Sequence, residues 1–168
     1  MQSISISRPA KPTDVNKVII RNDPNDPHGL GCWSYAGKHT GVQYIQLSEG
    51  CFSEKIVSHE LMHSIGFLHE HQRPDRDLYV QVNESCITNG NEDQFKIHKN
   101  LLTFGLPYRA KSIMHYTKNH FTIGNCQTIT SKVSRYLDNS LSYFICLFLH
   151  IISICTNFLI GSRSCNRR

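Results

Sequence analysis

The 168-residue chain is 39% hydrophobic, enough for one domain with a sizeable core, and it holds no internal repeat or low-complexity segment. Its net charge of +5 comes from dispersed basic residues, with Arg163, Arg167 and Arg168 in a short tail, so it lacks the clustered basic face that nucleic-acid binding needs. The seven cysteines contain no C-x-x-C pair, which argues against a zinc-thiolate cluster and for disulfides in an oxidising compartment.

In chain order, Met1 to Asp14 has no apolar stretch flanked by a positive start and a cleavage site, so no signal peptide is read there and a truncated beginning is expected. The run from Asp23 to Gly29, rich in Pro, Asn and Asp, reads as a loop between strands. Val42 to Leu47 mixes β-branched, aromatic and apolar residues with glutamines, the pattern of a half-exposed strand. Placed at a sheet edge, it would pair with an extended peptide through main-chain hydrogen bonds. Ser53, before Glu54 and an apolar run, is the predicted N-cap of a helix. On that helix Val57, Leu61, Met62 and Ile65 fall to one side and leave His59 and His63 to the other.

The stretch "SHELMHSIGFLHEHQRPDRD", Ser58 to Asp77, concentrates histidines and glutamates beyond what an ordinary polar helix face requires. His59 and His63 are four residues apart, and a helix stacks such a pair on one face, where two imidazoles can share one ion. Glu60 lies about 100° further round, off the ligand face but within reach of a water on the metal, the position of a general base. Gly66 tolerates the left-handed conformation that ends a helix, which turns the chain back beneath the site and brings His69 within reach. An isolated H-E-x-x-H is weak evidence, but H-E-x-x-H-x-x-G-x-x-H is complete here. Three neutral histidines leave a fourth tetrahedral position open, which is the coordination of catalytic zinc. The remaining histidines, His28, His39, His71, His98, His115, His120 and His150, have no ligand spacing and read as surface or satisfied polar residues.

This stretch resembles the metzincin clan of zinc proteases, and "HELMHSIGFLHEHQRPDRD" resembles the astacin family in particular. The likeness runs from about Lys11 to Lys132. "SIMHY", Ser112 to Tyr116, stands where that family has its methionine turn, which implies Met114 as the turn residue and Tyr116 as the phenol that stabilises the oxyanion. "CWSYAGKHTGVQYIQLSEGC" is similar to the segment carrying a short-range disulfide and the cleft's edge strand, so the resemblance implies a Cys32–Cys51 bridge. Cys86 with Cys126 stays open as a further pairing, and an odd total leaves at least one cysteine unpaired in a monomer. Ile4 stands where the family has a cysteine, so its long-range disulfide is expected to be absent. Glu70 corresponds to the family glutamate that meets the processed N-terminus. The implied fold is α+β: a metzincin-like catalytic domain with a twisted mixed sheet over an active-site helix and a truncated C-terminal subdomain.

After "FTIGNCQTITSK" the likeness stops, so residues 1–135 are read as an N-terminally truncated astacin-like protease domain and residues 136–168 as a divergent tail. Leu141 to Ile160 holds no Asp, Glu, Lys or Arg and has the length of a bilayer span, with the arginines beyond it on the cytoplasmic side. His150 and Asn157 weigh against a spanning helix, and a non-native chain end and a buried core helix stay open beside it. Asn83-Glu84-Ser85 is a glycosylation sequon for a secreted chain. The expected function is that of an extracellular, secreted or membrane-anchored zinc endopeptidase acting on polypeptides. One zinc ion is held by His59, His63 and His69, with Glu60 activating its water and Tyr116 assisting. The alternative is a non-catalytic zinc-binding or membrane-tethered interaction protein derived from such a protease.

Overall fold

A computed structural model describes residues 10–133. Ile4, the tail 136–168 and its apolar run 141–160 lie outside the described residues, and among the described residues no helix is long and apolar enough to cross a membrane. The described residues open with strand β1 (Lys17–Arg21), then β2 (Cys32–Ser34) and β3 (Val42–Leu47), followed by helix α1 (Glu54–Ser64). Short 3-10 turns lead to a second small sheet made of β4 (Val80–Val82) and β5 (Ile129–Ser131).

The first sheet is mixed and has the order β1-β3-β2, with β1 parallel and β2 antiparallel to β3. Val42–Leu47 is therefore the central strand of the three, not the edge strand that its glutamines suggest. The reason lies in what those glutamines do. Gln43 and Gln46 are buried rather than solvated. The Gln46 side chain donates to the Asp23 carbonyl at 2.9 Å and accepts from the Asp23 backbone N–H at 3.2 Å, which pins the Asp23–Gly29 loop across the sheet. Gln43 does the same for the β2–β3 loop, donating to Gly37 O at 3.0 Å and accepting from His39 N–H at 3.0 Å. Each amide replaces water by backbone partners, so its burial carries no unsatisfied group. The edge position next to α1 belongs to β2.

Helix α1 starts as its sequence predicts: the Ser53 hydroxyl accepts from the Ile56 N–H, satisfying one orphan donor of the first turn. Ile56, Val57 and Leu61 pack beneath Ile45, Leu47 and Cys51 of the sheet layer. The predicted Cys32–Cys51 disulfide, with Cα atoms 5.7 Å apart, ties β2 to the segment entering the helix. A second core holds Val80, Ile87, Phe95, Tyr108 and Ile129, closed by the Cys86–Cys126 disulfide. The short runs VQV and ITS that form the β4–β5 ribbon carry too little pattern to be read as strands from sequence. Arg73, almost fully buried, joins this second half together. It pairs with Asp75 at 2.8 Å and Glu70 at 3.0 Å and donates to the Leu106 carbonyl at 2.9 Å.

Candidate metal centre

Helix α1 ends where the site begins. Gly66 has φ +106°, and its N–H and that of Phe67 return to the carbonyls of His63 (2.8 Å) and Met62 (3.0 Å), the paired bonds of a Schellman cap. The chain is reversed within one residue and carries His69 back toward His59 and His63. The Nε2 atoms of the three rings lie 3.1, 3.2 and 3.3 Å apart, a nearly equilateral triangle. Among the described residues these three form the only cluster of potential metal ligands, and Glu60 is not part of it.

The other ring nitrogens explain why the triangle faces inward. His59 Nδ1 meets the Ile113 carbonyl at 2.7 Å, His63 Nδ1 the Phe67 carbonyl at 2.8 Å, and His69 Nδ1 the Gln72 side-chain oxygen at 3.3 Å. Carbonyl oxygens only accept, so each Nδ1 carries the proton and each Nε2 presents a bare lone pair. Three lone pairs at that spacing repel one another unless a cation lies among them. Tetrahedral zinc, with Zn–N near 2.0–2.1 Å, requires nitrogens about 3.3 Å apart, so the residues fit this ion.

Burial, and after it the neighbouring imidazoles, holds the His63 pKa down at about 4 and that of His69 at about 2, and burial lowers His59 as well. All three rings are neutral at physiological pH, as metal ligation requires. Glu60 is 4% exposed and its Oε2 has no hydrogen-bond partner, so burial pushes its pKa up to about 7. A buried carboxylate oxygen without a partner is costly, and a catalytic role is one of the few reasons for a fold to keep it.

The Ser112–Tyr116 turn lies against the site from the other side. Met114 is 3% exposed, its carbonyl accepts from Glu70 N–H at 2.9 Å, and the neighbouring Ile113 carbonyl is the one holding His59. The Tyr116 ring lies 4.5 Å from that of His69, and its hydroxyl donates to the Gln94 side chain at 3.4 Å. Burial and then the Glu60 charge push its pKa up to about 12, so it stays a neutral phenol. The Glu70 carboxylate is taken by Arg73 and by the backbone N–H of Arg109 at 2.8 Å.

His28, His39 and His98 are exposed, as expected of surface histidines. His71, His115 and His120 are more than that. His71 is fully buried, bonded through Nε2 to the Gln94 carbonyl at 2.9 Å, and stacks on Tyr116. His115 bridges the Tyr108 hydroxyl and the Tyr116 carbonyl, at 2.5 and 2.6 Å. His120 stacks on Tyr116 as well. No ligand spacing marks these residues; "HEH" and "MHY" are the sequence signals that point to His71 and His115, and none points to His120.

The profile of the Astacin peptidase family matches residues 5–141. The chain belongs to the astacin family. Among curated relatives of this astacin chain, zinc metalloproteinase nas-6 of Caenorhabditis elegans is 46% identical over 103 residues, 60% of this chain and 30% of the relative. Astacin-like metalloendopeptidase of Gallus gallus is 45% identical over 111 residues, 66% of this chain and 26% of that protein. Meprin A subunit beta of Rattus norvegicus is 35% identical over 146 residues, 82% of this chain and 21% of that protein. The chain thus spans less than a third of the length of these relatives. Among solved structures, high choriolytic enzyme 1, a hatching enzyme zinc-protease from Oryzias latipes, superposes with a TM-score of 0.68 at 28% identity, covering 86% of this chain and 72% of that one. These likenesses agree with the α+β, metzincin-like fold that the sequence predicts, and the family is one of zinc metalloproteases.

Proposed function

We propose that this astacin chain is the catalytic unit of a zinc-dependent endopeptidase that hydrolyses polypeptides, with His59, His63 and His69 as zinc ligands, Glu60 as general base and Tyr116 as oxyanion donor. One observation carries this reading: three bare Nε2 atoms converge at 3.1–3.3 Å beside a buried carboxylate oxygen that nothing else in the fold uses.

Zinc held by three imidazoles with one position open to solvent supplies a Lewis acid that makes water acidic near neutral pH and polarises a peptide carbonyl. Glu60, with a pKa near neutrality, takes one proton from the water that adds to the carbonyl carbon and delivers it to the amine nitrogen as the C–N bond breaks. Tyr116, a neutral donor, directs its O–H toward the oxygen that gains negative charge. The Ile113 and Phe67 carbonyls and the Gln72 side chain hold the ligand rings in their tautomers. An extended substrate aligns on the edge strand β2 rather than on the central strand Val42–Leu47.

Two disulfides among the described residues support an extracellular setting. Residues 1–135 make up the protease domain and residues 136–168 a divergent tail, whose apolar run 141–160 has the length to serve as a membrane anchor. Glu60→Gln tests the mechanism: the variant keeps stoichiometric zinc by metal analysis and loses at least ~100-fold in peptide cleavage. Cleavage retained in Glu60→Gln removes Glu60 from the reaction. Zinc binding without cleavage by the unsubstituted chain assigns it instead to the non-catalytic zinc binders.

A further inference from the structure

Tyr116 is held on both faces. His71 stacks on its ring at a centroid distance of 4.1 Å with planes 28° apart, and His120 stacks at 4.2 Å with planes 14° apart. Two near-parallel rings this close cannot share one face of a six-membered ring, so they take opposite faces. The two sides are built differently. His71 is fully buried and fixed through Nε2 to the Gln94 carbonyl, and Gln94 also receives the Tyr116 hydroxyl on its side chain. His120 is exposed, so nothing about its burial explains its position.

The Thr117 hydroxyl, 3.3 Å from His120 Nδ1, and the backbone around His120 explain it instead. The His120 N–H donates to the Thr117 carbonyl at 3.2 Å, and its carbonyl accepts from the hydroxyl of fully buried Thr128 at 2.9 Å. The next residue, Phe121, has φ +51°, a left-handed conformation rare for a bulky non-glycine residue. Its carbonyl is secured twice by Thr88, by the N–H at 2.8 Å and by the hydroxyl at 3.0 Å. Strain of this kind persists only where surrounding bonds over-determine it, and it often accompanies function. Here it turns the chain so that an exposed imidazole lies flat on the phenol beside the three-histidine cluster.

We infer that His71 and His120 form a two-sided imidazole clamp that sets the plane of the Tyr116 phenol, with His120 as the positioning residue of the solvent side. The clamp fixes the plane of the ring and with it the plane in which the hydroxyl lies. This rests on the reading of Tyr116 as the oxyanion donor, whereas the clamp itself is a geometric claim that is testable without cleavage.

The test uses the full zinc-loaded chain. An aromatic stacking pair is worth about 0.5–1.5 kcal/mol, so His120→Ala should lower kcat for a peptide substrate about 2- to 12-fold with KM little changed. His120→Phe, which keeps a flat ring, should restore most of the loss. In a Tyr116→Phe background His120→Ala should have no further effect, because a residue that acts only through the phenol has nothing left to act on. Additive losses in the double variant overturn the clamp while leaving the protease reading intact; full activity in Tyr116→Phe overturns the role of the phenol. Independently of activity, protein labelled with 3-fluorotyrosine should give a Tyr116 19F resonance, assigned by its loss in Tyr116→Phe, that moves in His120→Ala and returns toward its original position in His120→Phe. An unmoved resonance refutes the stack.

Discussion

Gly66→Ala separates the geometry of the helix end from the chemistry of the ligands. The added methyl group has room, since the nearest non-neighbouring atom would be Gly37 Cα at 3.8 Å. The cost comes from the backbone: φ +106° is a conformation that L-residues avoid, and forcing alanine into it costs about 1–2 kcal/mol. If the turn relaxes instead, it gives up the Schellman bonds to His63 and Met62. In that relaxed turn the Phe67 carbonyl shifts, and that carbonyl holds His63 Nδ1 at 2.8 Å. Loss of such a partner typically weakens metal binding by about 10- to 100-fold. Thermal unfolding of the metal-free protein should therefore fall by roughly 3–10 °C. Competition against a chromophoric chelator should show zinc affinity reduced by about tenfold or more. Gly66→Asn, which tolerates left-handed backbone better, should lie between. An unchanged Tm together with zinc affinity within about twofold of the unsubstituted chain would refute the coupling of helix cap to ligand.

The pH dependence of the metal-free protein has a definite sign. His63, His69 and His71 have folded pKa values of about 4, 2 and 3 against 6.5 for the free side chain, so below 6.5 the unfolded chain binds protons that the folded one refuses. Glu60, raised from 4.5 to about 7, works the other way between those values, but it is one carboxylate against three imidazoles. Urea midpoints of the zinc-free protein should fall from pH 7.5 to pH 5.5 with a net uptake of about two protons on unfolding, and equal midpoints would contradict the burial of the rings. For the tail, the full chain expressed in cells should remain in the pellet after carbonate extraction. Its release into the soluble fraction would rule out a spanning segment.

The histidine triad is legible in the sequence because its geometry is local. A four-residue offset on a helix and a glycine at the helix end bring His59, His63 and His69 together through backbone geometry alone. The Ser53 cap and the apolar side of α1 are readable for the same reason. Recognition of the methionine turn depends on family likeness, since nothing in "SIMHY" by itself says that the Ile113 carbonyl will hold a histidine 54 residues earlier in the chain. The pattern of Val42–Leu47 locates the strand correctly but suggests the wrong position in its sheet. Periodicity reports which residues alternate and not what covers them, and Gln43 and Gln46 are buried because distant loops supply their partners. Only tertiary structure could decide that His71 and His120 meet Tyr116, or that Arg73 bridges Glu70, Asp75 and the Leu106 carbonyl. Those contacts depend on where separate segments are brought in space, and sequence spacing carries that information only within a single turn or helix.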